Sequence, residues 1–150
     1  MFGLKLFKTE EGEERVEIYY HQMTPVVKKI AALVKDEKPV LHGVYEGEKS
    51  LLDLNEIYYF DIADRRTFAY TEDKVYQVAK SLSGLEEELK PYGFVRINKS
   101  NLVNIYKIRK VKPEANMRII AVLKNDEKIQ INRGYKRAFE DYLNDVRKMI

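Results

Sequence analysis

The sequence contains no cysteine, which excludes disulfides, thiolate metal sites and a cysteine nucleophile, and nothing in it argues for an oxidising compartment. Its two histidines, His21 and His42, have no neighbours at metal-ligand spacing. Glycines are sparse, and Gly84 and Gly93 stand alone, so no glycine-rich loop can cradle a phosphate. No apolar run approaches the roughly 20 residues that cross a bilayer. The opening M-F-G-L-K-L-F-K-T-E-E is charged too early for a secretory leader, and the expectation is a cytoplasmic protein. Carboxylates do not supply the missing chemistry. Asp61 and Asp64 lie beside two arginines, as in a surface turn, and Glu86-Glu87-Glu88 fits a solvated helix face. Nucleophile, base and oxyanion donor are never assembled, so no enzyme, metal, cofactor or small-molecule substrate is expected.

What is present is a globular composition with uneven charge. An apolar fraction of 45% with 34% charged residues, in a chain of 150, suits one ordinary domain or one with a small appended module. The net charge of +3 conceals an asymmetry: residues 1–52 carry eight cations and nine anions, whereas residues 92–137 carry twelve cations and three anions. A basic segment after an acidic one is the electrostatic footprint of a chain that meets a polyanion with only one part.

Along the chain, Phe2 to Phe7 and Val16 to Tyr20 read as two short strands across an acidic turn, Glu10 to Glu14. Thr24-Pro25 is a helix start, because Thr can cap and Pro has no amide proton to leave unpaired in the first turn. Val26, Val27, Ile30, Leu33 and Val34 then predict one buried face, and Pro39 ends the helix. Val40 to Tyr45 and Lys49 to Leu52 form a hairpin through Glu46-Gly47. Residues 1–50 are thus expected to be a small β-α-β section, too small to stand alone, packed on the rest of the chain or on a second copy. No phosphoacceptor receiver domain is expected within so short a section.

From Asn55 strands dominate. Ile57 to Ile62 reads as a strand covered on both faces, Ala63-Asp64-Arg65-Arg66 as a cationic turn, and Lys74 to Val78 as a further strand. Ser83-Gly84-Leu85-Glu86 has the spacing of a capping box before a helix that Pro91 stops. Lys112 to Asn116 reads as a loop, and Met117 to Leu123 pairs with Lys128 to Asn132. Tyr135, Phe139, Tyr142, Leu143 and Val146 make the apolar stripe of a final helix.

The stretch Y-G-F-V-R-I-N-K-S-N-L-V-N-I-Y-K-I-R-K-V, residues 92–111, sets short polar side chains and cations between core-forming runs. A turn anchored by such flanks can offer hydrogen bonds to phosphate oxygens or base edges. An ordinary loop between strands is the competing reading. Eleven tyrosines near basic residues also admit an RNA- or single-strand-binding module, through stacking on unpaired bases.

F-V-R-I-N-K-S-N-L-V-N resembles the signature of LytTR-type DNA-binding domains, F-x-R-x-H-[KR]-S-x-[IL]-V-N, and I-Q-I-N-R-G-Y-K, about thirty residues on, resembles the second motif, V-S-R-x-Y. Asn98 stands where the family usually has His, and Asn132 where it has Ser; both keep a hydrogen-bonding side chain, so sequence preference is what they affect. The resemblance implies an α+β, mostly β domain over residues 51–150, elongated and with short helices, which lays loops rather than a recognition helix into successive major grooves of duplex DNA. Carried over by position, it implies base-reading roles for Arg65, Arg66, Asn98, Lys99, Asn101 and Arg133, and phosphate contacts for Arg109, Lys110 and Lys136. Arg133 is the best candidate for bidentate recognition of a guanine edge. The implied protein is a stand-alone bacterial transcriptional regulator. It is expected to act as a homodimer on repeated half-sites, with residues 1–50 serving dimerisation or a membrane or cytoplasmic protein partner.

Overall fold

A computed structural model describes residues 2–12, 14–35 and 39–147. Helix α1 (Pro25–Lys35) begins where Thr24 Oγ1 accepts from the amide of Val27. A hairpin comes next, β1 (Leu41–Tyr45) and β2 (Glu48–Leu52), turning through Glu46 and Gly47, both at positive φ. Strands β3 (Tyr59–Ala63), β4 (Arg66–Tyr70) and β5 (Val75–Val78) form a meander. After α2 (Leu82–Leu89) come β6 (Phe94–Arg96) and β7 (Asn101–Asn104). The chain then builds a second sheet from β8 (Ile108–Pro113), β9 (Ile119–Leu123) and β10 (Lys128–Ile131), and finishes in α3 (Lys136–Arg147).

The first sheet has seven strands in the order β2-β1-β5-β4-β3-β7-β6, the second three in the order β10-β9-β8, and every pairing is antiparallel. Alternation of side chains splits the apolar residues of the large sheet between two cores. Phe60, Ala69, Phe94 and Leu102 face α2, whose Leu82, Leu85 and Leu89 close that layer. Tyr58, Val95, Ile97 and Val103 face the small sheet and α3, meeting Ala121, Leu123, Ile131, Phe139 and Tyr142. Adjacent residues of β3, Tyr59 and Phe60, face different cores, as expected for a strand covered on both sides.

Several expectations need correction. Phe2 to Phe7 and Val16 to Tyr20 carry no regular secondary structure, and Leu4, Leu6, Phe7 and Tyr19 are almost wholly exposed. Two short strands without a third to pair with are marginal in water. Glu13, in the turn expected between them, lies outside the described residues. On α1 only Val27 is fully buried, and Leu33 and Val34 face outward, because the helix meets the body through its first turns alone. Its Lys29 ammonium lies over the ring of Tyr106 and hydrogen-bonds that hydroxyl. The cap of α2 is Ser81, accepting from the Gly84 amide at 3.1 Å, rather than Ser83. That start places Leu82 in the core. Lys112 and Pro113 belong to β8, so the loop expected from Lys112 begins later. Residue 50, the expected end of the N-terminal section, lies in β2, and the β1–β2 hairpin pairs with β5.

Candidate nucleic-acid interface

The β6–β7 turn, residues 97–101, is held on three sides. Toward β3, the amide of Ile62 donates to the Ser100 carbonyl at 3.0 Å, and Asn101 Nδ2 donates to Asp61 Oδ1 at 3.0 Å and to the Phe60 carbonyl at 3.3 Å. Toward β10, the amide of Asn132 donates to the Ile97 carbonyl at 3.0 Å, and Asn98 Nδ2 donates to the Gln130 carbonyl at 3.3 Å. From the α2 side, Arg96 donates through Nε to the Asn98 carbonyl at 3.1 Å and through Nη2 to the Lys99 carbonyl at 2.6 Å. Within the turn, the Ser100 amide donates to Asn98 Oδ1 at 2.8 Å. Between Pro91 and Tyr106 the only exposed side chain is that of Lys99.

These bonds bring two further loops to the same end of the sheets. The β3–β4 turn, Asp64-Arg65, comes directly after the strand that Ser100 and Asn101 grip. Asp64 (φ 50°) and Arg65 (φ 64°) are both left-handed, the geometry of a two-residue hairpin turn that normally takes Asn, Asp or Gly. Asp suits it, whereas Arg at the second position bears the Cβ penalty, on the order of 1–2 kcal/mol. At the other side β10 ends at Ile131; the next residue, Asn132, accepts at Oδ1 from Gln130 Nε2 at 3.1 Å, and Arg133 opens a 3-10 turn into α3. Arg65, Arg66, Lys99 and Arg133 are exposed, and Lys136 is half-buried at the first position of α3.

Asn98 and Asn101 share this end, but their amides are engaged with protein partners and shape the turn. Arg109 and Lys110 are elsewhere. The register Ile108↔Leu123 and Lys110↔Val122 puts them at the end of the small sheet remote from Ile131, and Arg109 Nη2 pairs with Asp126 at 2.8 Å. Lys112 and Arg118, opposite or beside Ile120 and Ile119, occupy the nearer end and are exposed. Only strand register, which sequence spacing does not supply, separates the two pairs. The role of Arg96 was equally hidden, because an arginine in a β-strand gives no sign of which carbonyls it will reach.

Electrostatically the end is cationic with one buried-edge acid. Burial raises the Asp61 carboxyl above its ordinary pKa, against the lowering effect of the Asn101 amide and the Ile62 backbone amide. Four tyrosines near these loops and cores belong to the packing: Tyr58 and Tyr142 are buried, and Tyr59 and Tyr70 stack on each other at 4.5 Å. Among the described residues no group of His, Asp or Glu has the arrangement of a metal site, and no helix is long and apolar enough to cross a membrane.

A rigid end carrying four exposed cations on three loops defines a surface for a polyanion. Comparisons with known proteins agree: a family model, the LytTr DNA-binding domain, matches residues 48–144, and the chain belongs to that family. An uncharacterised HTH-type transcriptional regulator of Staphylococcus aureus strain MSSA476 is 28% identical over 147 residues, covering 96% of this chain and 99% of the relative. Its counterpart in strain MRSA252 is 27% identical over the same length. A solved LytTr DNA-binding domain from Bacillus cereus superposes with a TM-score of 0.67 at 20% identity, covering 71% of this chain and 98% of that domain. Although those relatives are described as HTH-type, α2 and α3 lie far apart in the chain, with five strands between them, and form no helix-turn-helix pair.

Proposed function

We propose that the protein is a transcriptional regulator that binds specific sequences of double-stranded DNA, reading major grooves with the loops at residues 64–66, 98–101 and 132–133. One observation carries this reading: hydrogen bonds lock the three loops to one end of the sheets, with Arg65, Arg66, Lys99 and Arg133 exposed on them. Arginine and lysine side chains on a fixed platform suit the acceptor edge of guanine. Asn98 and Asn101, engaged with the protein, act by shaping the platform. Lys136 holds a phosphate beside Arg133. Proximity favours Lys112 and Arg118 over Arg109 and Lys110 for further phosphate contacts.

The N-terminal section, residues 1–50, carries most of the exposed large hydrophobic side chains among the described residues, including Leu4, Leu6, Phe7, Leu33, Val34 and Val40. We assign it to association with a second copy, which would give a dimer on repeated half-sites. Deletion of residues 1–40 followed by sedimentation equilibrium tests this part, and an unchanged number of chains per particle removes it.

Selection of bound sequences from a random duplex pool tests the main reading. Enrichment of one motif supports it. Equal binding of every duplex, or preference for RNA or single strands in competition, overturns it. The buried and mutually stacked tyrosines favour the duplex outcome, since they offer little aromatic surface for unpaired bases.

A further inference from the structure

The β6–β7 turn is gripped by an arginine that faces protein more than solvent. Arg96 stands on β6 on the same side as Phe94, toward α2, and its side chain is only 20% exposed. Two separate nitrogens of its guanidinium reach the carbonyls of two successive residues, Asn98 and Lys99, while Nη1 lies 3.8 Å from Glu86 on α2. We propose that Arg96 is a positioning residue for sequence reading: it fixes the backbone on both sides of the Lys99 Cα and so sets where that ammonium points. The inference rests on the DNA-binding reading above.

Only a planar fork with several fixed donors can grip both carbonyls at once; a lysine ammonium could replace the charge but not the geometry. The grip also bears on the residue that needs it most. Asn98 is fixed by its own side chain, through Ser100 and Gln130, and Asn101 by Asp61 and Phe60. Lys99 is gripped through its backbone instead, and the Arg96 bond to its carbonyl is the shortest of the set at 2.6 Å. A long, flexible side chain gains discrimination between bases when its backbone is held, because less freedom remains to be lost on binding. Glu86 pairs with the third guanidinium nitrogen from the helix, which couples the attitude of the fork to α2.

The test uses the full chain, the duplex selected from the random pool, and a random duplex of equal length. Arg96→Lys should lower the preference for the selected duplex by about tenfold, the size of one lost base contact. Affinity for random duplex, the slope of affinity against salt, and Tm should stay close to those of the unsubstituted protein. Glu86→Gln, a substitution on an exposed helix face, should lower the preference in the same direction by a smaller factor. Hydrogen exchange at the Ser100 amide should accelerate in both. A mere loss of folding would instead lower Tm and weaken both duplexes together, and that result overturns the proposal. So does an unchanged preference in both variants. If the unsubstituted protein shows no preference at all, the DNA-reading function fails first, and that outcome is visible before any variant is compared.

Discussion

The side-chain amide of Asn104 donates to the carbonyl of Ile57 at 2.9 Å while its oxygen accepts from the amide of Tyr106 at 3.0 Å. With the residue only 3% exposed, one side chain joins the end of β7 to the segment leading into β3 and to the turn before β8. Asn104→Ala leaves a buried carbonyl and an amide without partners and should cost about 1–3 kcal/mol. Urea unfolding should show a lower midpoint at unchanged m-value. Unaltered stability would mean that water replaces the amide and that the joint is not structural.

The left-handed Arg65 sets stability against binding. Arg65→Gly removes the Cβ penalty and should raise stability, by on the order of 1 kcal/mol. It also removes one of the exposed cations, so duplex affinity should fall. Thermal melting and a fluorescence titration on the same samples give both signs. A variant that is less stable would show that the arginine makes contacts which outweigh its backbone strain.

Base reading and phosphate holding separate under salt. Arg133→Ala should cost roughly 1–3 kcal/mol on the selected duplex and relax preference at one base pair. Arg118→Ala should weaken selected and random duplexes alike and reduce the salt slope by about one. Lys110→Ala, at the remote end of the small sheet, should change neither. A reduced slope for Lys110→Ala with none for Arg118→Ala would reverse the placement of the DNA along that sheet.

Asp61 gives a pH dependence with a defined sign. Its folded pKa is raised by burial, so as pH increases the unfolded chain releases this proton first, near pH 4. Ionising Asp61 therefore costs stability, and the cost grows from about pH 4 up to the raised folded value and then stays constant. Asp61→Asn retains an oxygen to accept from Asn101 and never ionises. It should raise Tm at neutral pH and leave it unchanged well below pH 4, to about a degree. A gain of equal size at both pH values would trace the effect to packing instead.

Much of the fold was legible because it depends on local pattern. The turn chemistry of Glu46-Gly47, the Thr24-Pro25 helix start, and the stripe of Phe139, Tyr142 and their neighbours all correspond to observed elements. The motif pair also located the LytTr domain, which the match over residues 48–144 shows. What stayed hidden depends on partners distant in sequence. Phe2 to Phe7 has the composition of a strand but joins neither sheet. A polar residue in a turn can face solvent or bind backbone, and Asn98 and Asn101 do the second. Arg109 and Arg118 look alike in the chain, and the strand and loop between them carry them to opposite ends of one sheet.

The solitary exposure of Lys99 bears on how operator choice can evolve. Every hydrogen bond of its cradle comes from main chain or from another side chain, so exchanging the group at position 99 leaves the scaffold untouched. Under the proposed reading, recognition can drift one mutation at a time with foldability preserved, and redesign toward a new target would begin by varying that one position.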